Sequence, residues 1–529
     1  MYGRFGLGVL VSALLAAGCV SGPAKTEASD PPSPAAAEDR QIRHITDRNL
    51  FAALDLARPA LADVEAAVAV EDYRAAYRAW AEYWQAKEKV AWIERGGVLR
   101  PIDDVEAELR SRSRAAGRNR RRAEPLMRHR IRGWGEVTHQ HGEVVDFNFD
   151  YGRSGKYGFH YWGWSEPLLT AWHATGDTRY LAEFDRLFNQ WYEQRDAVEG
   201  VRPDRDVIWY ELGLGHRSRR FLHYYTCPLP DRPLETHARM LKTLLGAGRW
   251  LYDLERRGYR DTNWQVIGSY GLVDIAVRVP EFHEAQAWRD VGVARLMEHL
   301  ERGFYADGCH RERSPAGYMS NVYRDLNNLA LLLQATGVPD DALRRLVPHL
   351  EKPLQWWMLA TNPLGHLPAL NDTNRREWPE ACMRQGAARY DRPGFLYVVE
   401  QLKHGAARSR GRPPDAASVH LAPSGAAVLR SGWSRKDNYL FLNYGTHDGG
   451  HSHRATLDFE LVGCGGPLAL DAGIGESYDD PLHHTWYTTA RAHNMLVVDE
   501  ANVDKAAARG YDVFWHSDGR LDVFGATHD

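Results

Sequence analysis

The stretch GGHSHRATLDFEL, residues 449–461, places two imidazoles two positions apart, behind a pair of glycines and before an alternating polar and apolar run. The alternation predicts a β-strand, in which residues two apart face the same side of a sheet. An imidazole there can serve as a general base, as a hydrogen-bond donor to an anion or as a metal ligand. His451 and His453 are therefore candidates for chemistry, and the rest of the chain must supply the groups that meet them.

The N-terminus has the pattern of an export signal. Residues 1–19 carry Arg4, then an apolar run, then Leu-Ala-Ala-Gly-Cys, and the run is too short to be a permanent membrane helix. This ending is similar to a bacterial lipobox, which predicts lipidation of Cys19 and a lipoprotein on the outer membrane or cell surface, facing the periplasm or the exterior. Plain secretion, with an incidental Cys19, is the alternative. Residues 20–42 are rich in Pro, Ala, Ser and charge, which predicts a flexible tether.

Two kinds of periodicity divide the remaining chain. From 43 to 405, apolar residues recur at three- and four-residue steps, and a Gly-Asp pair at 176–177 separates two such runs. This pattern predicts stacked helical hairpins. Residues 406–418 form a Gly/Pro/Arg-rich linker. Residues 419–529 contain short alternating runs such as NYLFLNYG, HNMLVVDE and YDVFWHSDGRLDVFG, which predict an antiparallel β-sandwich that is short for its kind and consistent with a fragment.

Composition limits the partners and the metal chemistry. The net charge of −4 gives no global field for a polyanion, and the predicted export disfavours nucleic acid as a partner. The other cysteines, Cys227, Cys309, Cys382 and Cys464, are scattered without a CxxC pair, which argues against a zinc–thiolate site and leaves disulfide pairing open. The ten arginines of 110–132 fit either a solvated helix face or a binding surface for an acidic polysaccharide.

Several motifs occur together along the chain. The helical part contains FHYWGWSEPLLTAWHATGDTRYL, WYELGLGHRSRRF, TNWQVIGSYGLVDIAVRVPEF and DGCHRERSPAGY, and the β part contains SGAAVLRSGW, GGHSHRATLDFEL, PLALDAG and RAHNMLVVDE. With these motifs, in this order over residues 45–529, the chain resembles the heparinase II/III-like polysaccharide lyases. The resemblance implies an N-terminal (α/α) toroid followed by a C-terminal antiparallel β-sandwich. It also implies β-elimination next to a uronic acid, which needs a partner for the carboxylate, a base for the C5 proton and an acid for O4.

The resemblance assigns three catalytic residues. Asn263 matches the carboxylate-binding Asn of the family, and Tyr318 matches its catalytic Tyr. His451 is implied as the base or as a donor to the carboxylate, and which of Tyr318 and His451 is the base stays open. Taken alone, Asn263 has the sequence context of a helix N-cap and Tyr318 is an ordinary aromatic residue. Two departures from the pattern weaken the match: Trp264 stands where some members have His, and two residues separate Tyr318 from the preceding Ser-Pro.

The resemblance also implies a metal site and a substrate cleft. The predicted ligands of a structural Zn²⁺ are His453, Asp471 and His493, with hydrogen-bonded core histidines as the alternative. The residues predicted to bind substrate are Glu211, Arg217, His160, Trp162 and Trp264. Arg217 or Arg219 is a candidate fork for a carboxylate or sulfate. Asp372 is expected to be a turn or cap residue rather than an acid.

The resemblance implies a polysaccharide lyase that acts on heparin, heparan sulfate, alginate or a related exopolysaccharide and leaves 4,5-unsaturated uronyl ends. One alternative is a toroid glycoside hydrolase, for which Glu211, Glu281 and Glu312 are the available carboxylates. Another is a non-catalytic, glycan-binding surface lipoprotein. The acidic polysaccharide and the membrane are the predicted partners, and the oligomeric state is left open.

Overall fold

The computed structural model describes residues 42–528, apart from 112, 135–136, 203–204, 255–261, 338–339, 374–377, 406–408, 447–448, 476–477 and 505–508. The predicted signal peptide, Cys19 and nearly all of the predicted tether lie outside the described residues, so the lipid anchor stays a prediction. Within the described part, no helix has both the length and the apolar character needed to cross a membrane.

The N-terminal region is an (α/α) toroid in which successive helices pack against one another. Its described helices are α1 (Asp47–Ala52), α2 (Ala62–Ala69), α3 (Tyr73–Ala86), α4 (Ile102–Arg110), α5 (Ser113–Met127), α6 (Arg153–Phe159), α7 (Glu166–Thr175), α8 (Arg179–Gln194), α9 (Glu211–Tyr225), α10 (Leu234–Tyr252), α11 (Asn263–Arg278), α12 (Ala285–Arg302), α13 (Tyr318–Thr336), α14 (Asp340–His349), α15 (Glu351–Ala360), α16 (Glu380–Tyr390) and α17 (Pro393–Tyr397).

Local sequence explains where these helices begin and end. The side chain of Asp72 accepts a hydrogen bond from the backbone N–H of Ala75 and caps α3, whose Trp80 and Trp84 are buried at the spacing of one helical turn. Gly176 ends α7 in the left-handed conformation, with a φ of 71°, as the predicted break at 176–177 requires. In the arginine-rich helix α5, Arg118, Arg121 and Arg122 are exposed.

The C-terminal region is an antiparallel β domain. Its strands are β5 (Val419–Leu421), β6 (Ala426–Arg430), β7 (Tyr439–Asn443), β8 (Asp458–Gly463), β9 (Gly466–Ala469), β10 (Tyr511–Ser517) and β11 (Asp522–Thr527); β1 (Trp92–Arg95), β2 (Val98–Pro101), β3 (Arg130–Arg132) and β4 (Thr138–Gln140) form two hairpins among the helices. Strands β5 to β9 form one sheet in chain order, and β10 pairs with β11. Ring contacts of His420 in β5 with Trp515 and Phe524 pack this hairpin against the sheet as a second layer.

The prediction of a strand over HNMLVVDE is wrong. Residues 493–500 are irregular, and Leu496 and Val498 are exposed. Asn494 makes ladder-like contacts: it exchanges hydrogen bonds with Phe459 of β8 through its backbone carbonyl and its side-chain amide. Alternation alone suggested a strand here, but a strand also needs a neighbour along its whole length.

The sheet is fixed to the toroid by a shared hydrophobic core. Trp356 and Trp357 of α15 pack in one buried cluster with Val428, Tyr439 and Phe441 of the sheet. The Tyr439 hydroxyl donates to the carbonyl of Ala360 at 2.7 Å. Because β7 and β8 are held against the helices in this way, the loop between them, with the GGHSH motif, lies against loops of the toroid.

Candidate active site

A single carboxylate joins the two histidines of GGHSH. His451 Nδ1 lies 2.9 Å from Asp372 Oδ2, and His453 Nε2 lies 2.9 Å from Asp372 Oδ1. Asp372 is buried in the toroid loop before α16, whereas the histidines follow strand β7. Burial opposes ionisation of Asp372, but the hydrogen bonds from His451 and His453 outweigh it and hold its pKa well below the usual range. The ionised carboxylate can only accept, so each ring donates an N–H to it.

Two tyrosines complete this cluster. The Tyr478 hydroxyl donates to Asp372 Oδ2 at 3.0 Å and lies 3.2 Å from His451 Nδ1. It also hydrogen-bonds the hydroxyl of Tyr318, the first residue of α13. The rings of Tyr318 and His451 stack at a centroid distance of 3.6 Å and an interplanar angle of 15°. Burial raises the pKa of the Tyr318 phenol, and the charges of Asp372 and Glu312 add to this effect although the Tyr478 hydrogen bond opposes it.

Asn263 is the first residue of α11 and is buried. Thr262, not Asn263, is the N-cap, and its side chain accepts a hydrogen bond from the backbone N–H of Trp264. The capping alternative for Asn263 is therefore wrong. The backbone N–H of Asn263 donates to Glu312 Oε1 at 3.3 Å, and Glu312 Oε2 lies 4.0 Å from His451 Nε2. Glu312 thus links Asn263 to His451 across the site.

Asn371 holds these loops together. Its side-chain amide donates to the carbonyls of Glu312 and Arg313, at 3.3 and 3.0 Å, and its side-chain oxygen accepts the backbone N–H of His453 at 3.0 Å. Its φ of 54° is in the left-handed region, which Asn tolerates better than most residues. One buried side chain therefore fixes the backbone of Glu312 relative to that of His453.

The predicted metal ligands lie beside this cluster. His493 Nδ1 lies 2.6 Å from Asp471 Oδ2, and these two residues and Asp458 offer ligand atoms within 4.8 Å of one another. The His453 ring lies outside that group, with its centroid 5.3 Å from that of His493. Among the described residues, His453 Nδ1 and His493 Nε2 have no hydrogen-bond partner although both are buried. Two buried imidazole lone pairs next to two carboxylates fit a divalent cation such as Zn²⁺.

The structure corrects the prediction that His160, Trp162 and Arg217 bind substrate. His160 and Trp162 are fully buried, and Arg217 is 1% exposed. The Arg217 guanidinium donates to the backbone carbonyls of His160 and Ile208, at 3.0 and 2.6 Å. The ring of His160 is bonded to the carbonyl of Phe147. These residues therefore belong to the core of the toroid, where Arg217 and His160 are bonded to neighbouring core groups.

The remaining predicted cleft residues differ among themselves. Glu211 is buried at the start of α9 against Gly268 of α11, so it does not line a cleft either. Arg219 is buried, and its guanidinium donates to Asp325 at 2.6 Å. The guanidinium predicted to bind a substrate anion is therefore already paired with a carboxylate of the protein. Trp264 is only half-buried, next to Asn263, with the guanidinium of Arg205 4.4 Å from its ring centroid. Of these residues, Trp264 keeps its place as a candidate substrate contact.

Sequence reasoning missed Asp372, Tyr478 and Asp458. Asp372 was expected to be a turn residue, yet it accepts hydrogen bonds from three side chains of the site. No motif marked Tyr478, which lies 160 positions from Tyr318 along the chain. Asp458 stands inside the GGHSHRATLDFEL motif and points to the metal cluster from the buried face of β8, so the alternation of that strand was a usable signal.

Two family models match the chain. Heparinase II/III N-terminus matches residues 50–390, and Heparinase II/III-like, C-terminal matches residues 413–529. The chain belongs to the heparinase II/III family. The family resemblance found in the motifs is thereby confirmed.

Relatives in the heparinase II/III family are distant in sequence. A heparin-sulfate lyase of Pedobacter heparinus is 22% identical over 382 residues, which are 69% of this chain and 55% of the relative. A heparin-sulfate lyase of Bacteroides thetaiotaomicron is 22% identical over 373 residues, which are 65% of this chain and 52% of the relative. The chain spans about half the length of these relatives.

Solved structures of the heparinase II/III family share the fold. A crystal structure of heparinase III matches with a TM-score of 0.72 at 18% identity and covers 91% of this chain and 75% of that one. A mutant heparan sulfate lyase from Pedobacter heparinus matches with a TM-score of 0.62 at 20% identity and covers 91% of this chain and 74% of that one. The predicted architecture, a toroid of helical hairpins followed by an antiparallel β domain, is confirmed.

Proposed function

We propose that this chain is a polysaccharide lyase that cleaves an acidic glycosaminoglycan of the heparan sulfate type by β-elimination. The observation that carries this proposal is the face-to-face contact of Tyr318 and His451 at 3.6 Å, in a cluster shared by both domains. A phenol and an imidazole in contact can supply the acid and the base that elimination needs. The names of the relatives, both heparin-sulfate lyases, support the substrate class.

His451 is the base in this mechanism. Its Nδ1–H donates to the ionised Asp372, so the lone pair lies on Nε2 and can take the C5 proton of the uronate. Tyr318 is poorly suited to that role because burial raises the pKa of its phenol above the ordinary value and keeps it protonated. Asp372 therefore acts as a positioning residue, since it fixes the tautomer and the orientation of the base.

Tyr318 is the acid. The C5–H electron pair forms the C4=C5 bond, the C4–O4 bond breaks with its electron pair on O4, and the Tyr318 hydroxyl gives its proton to O4. Tyr478 hydrogen-bonds the Tyr318 hydroxyl and therefore stabilises the phenolate that remains. His451 Nε2 then gives its proton to solvent and Tyr318 takes one from solvent, which restores both groups while the Nδ1–H of His451 stays on Asp372. The side-chain amide of Asn263, which is not needed to cap α11, donates to the uronate carboxylate.

A structural Zn²⁺ fits beside the catalytic cluster. His453, Asp471 and His493, with Asp458, would hold it, and the cation would fix the β7–β8 loop that carries His451. Because Asp372 accepts from both His451 and His453, the base and this metal site would share one orienting carboxylate. Chelator treatment should lower the melting temperature of the wild-type chain and leave that of Asp471→Asn unchanged; an equal response of both would contradict the assignment.

The hydrolase alternative finds less support. Glu281 is bonded to Lys87 and Tyr83, both at 2.5 Å, and Glu211 is buried, so neither is placed to flank a glycosidic bond. The deciding experiment incubates the chain with heparan sulfate, heparin, hyaluronan and alginate and follows both ultraviolet absorbance and reducing ends. Elimination predicts that both signals rise together on heparan sulfate. Reducing ends without absorbance would indicate hydrolysis, and neither signal on any polymer would contradict the proposal.

A further inference from the structure

Glu312 is a buried carboxyl that the elimination above does not use. It is 7% exposed and lies in the loop between α12 and α13. Its Oε1 accepts the backbone N–H of Asn263, but Oε2 has no hydrogen-bond partner among the described residues. A buried polar atom without a partner is unfavourable and in native proteins usually marks a function or a missing ligand. Oε2 lies on the side of His451 Nε2, where the reacting sugar would bind.

The groups around Glu312 decide its protonation. His451 and Asp372 face its carboxyl group from two loops, the Asn263 N–H from α11 and Tyr318 from the start of α13. The ring of His310 accepts a hydrogen bond from the backbone N–H of Glu312. Burial raises the pKa of Glu312, Asp372 adds to this effect, and His451 and the Asn263 N–H oppose it. Because the pKa of Asp372 is held low, Glu312 is the carboxyl of this pair that holds a proton more readily.

A uronate bound at Asn263 would bring a second carboxylate next to Glu312. Two carboxyl groups within hydrogen-bond distance cannot both stay ionised, so they share one proton. A hydrogen bond from an O–H donor to a carboxylate is shorter and stronger than a hydrogen bond between two neutral groups. A substrate anion and a buried acid can therefore stabilise each other where two anions would repel.

We propose that Glu312 is a further catalytic residue, which binds the uronate as the neutral acid and donates its O–H to the sugar carboxylate beside the Asn263 amide. This inference rests on the proposed function. As His451 removes the C5 proton, negative charge moves into the carboxylate and its oxygens become more basic. The bond from Glu312 strengthens at that point, so it lowers the barrier rather than only tightening binding. When C4–O4 breaks, the charge leaves with O4 and the proton stays on Glu312.

Three variants separate a neutral acid from a carboxylate. Glu312→Gln keeps a donor and an acceptor of the same shape, whereas Glu312→Ala removes both. We expect kcat on heparan sulfate to fall by about 10²–10³ in Glu312→Ala and by roughly tenfold in Glu312→Gln. Wild-type kcat should also fall at alkaline pH, as Glu312 in the complex loses its proton, and Glu312→Gln should lack that decline. Glu281→Gln, at a buried carboxyl outside the site, should lower the melting temperature without changing the pH profile.

Proton uptake on binding gives a second readout, independent of turnover. A heparan sulfate oligosaccharide is titrated calorimetrically into Tyr318→Phe in buffers of different ionisation enthalpy, with and without Glu312→Gln. At a pH above the pKa of Glu312 in the free protein, binding of the oligosaccharide to Tyr318→Phe should take up close to one proton more than binding to the double variant Tyr318→Phe/Glu312→Gln. Equal uptake, or a Glu312→Gln enzyme as slow as Glu312→Ala, would overturn the role of Glu312 alone. Absence of unsaturated product from the wild type would instead overturn the proposed function and, with it, this inference.

Discussion

Two polar clusters of this molecule, each containing histidine, differ in what their polar atoms contact. Around Asp372, the hydrogen bonds run between side chains of two domains, from His451, His453 and Tyr478. Around His160 in the toroid, most of them run to the backbone: Arg217 donates to the carbonyls of His160 and Ile208, and the His160 ring is bonded to the carbonyl of Phe147. The other ring nitrogen of His160 accepts a hydrogen bond from the indole of Trp191. The first cluster also keeps a half-buried tyrosine, Tyr318, while the second is closed to solvent.

Such contacts distinguish a functional site from a polar part of the core. Hydrogen bonds between side chains can rearrange around a ligand, and unpartnered atoms such as Glu312 Oε2 leave room for one. Bonds to backbone carbonyls fix loops and cannot be released without loosening the fold. Changes in the first cluster should therefore cost rate, and changes in the second should cost stability.

The largest effect is expected at Tyr318. Tyr318→Phe keeps the ring stacked on His451 and removes the proton that goes to O4, so kcat should fall by about 10²–10⁴. The melting temperature should stay close to that of the wild type. Steady-state kinetics on heparan sulfate, with thermal unfolding alongside, measures both. An unchanged kcat would show that the cluster around Asp372 has a structural role and not a catalytic one.

A somewhat smaller loss is expected at Asp372. In the wild type, the N–H groups of His451 and His453 each donate to one oxygen of Asp372. Asp372→Asn has only one side-chain oxygen and places an NH₂ donor in the position of the other, so the tautomer of His451 is no longer fixed. We expect kcat to fall on the order of 10²–10³ with a modest change in KM. A higher KM with an unchanged kcat would mean that Asp372 contributes to substrate binding and does not orient the base.

The core cluster should respond in the opposite way. Arg217→Met leaves the carbonyls of His160 and Ile208 without their donors, which should lower the free energy of unfolding by about 3 kcal/mol. The kcat of the folded enzyme should stay within about twofold of wild type. Denaturant unfolding and kinetics on the same preparation test this pair of outcomes. A large fall in kcat at unchanged stability would restore the substrate-binding role predicted from the sequence.

The smallest effect, at mildly acidic pH, concerns acid stability. Burial, together with the charge of Arg217, lowers the pKa of His160 to about 3 from an ordinary 6.5. The unfolded chain therefore binds a proton between these values that the folded chain does not, and stability falls as pH drops below about 6.5, by at most about 1.4 kcal/mol per pH unit. His160→Gln should flatten this part of the stability–pH curve. If the stability–pH curves of both proteins have the same slope, groups other than His160 cause the loss of stability in acid.

The sequence predicted the architecture because helix and strand periodicity depend on local spacing. The break at Gly176 and the strands of the sheet follow from that spacing. Motif order also singled out Tyr318 and His451, which the fold brings into contact. Asp372 could not be found in this way, because it meets His451 across 79 positions and two loops. His160 and Trp162 were misjudged since composition does not tell whether a polar or aromatic residue faces solvent.

We propose that the Tyr318–His451 cluster breaks its substrate by elimination. Mass spectrometry of the products from a defined heparan sulfate oligosaccharide tests it most directly, because elimination consumes no water. Elimination predicts two products whose masses sum to that of the substrate, formed by the wild type and nearly absent with Tyr318→Phe. Products that together carry one additional water, or equal cleavage by both proteins, would contradict it.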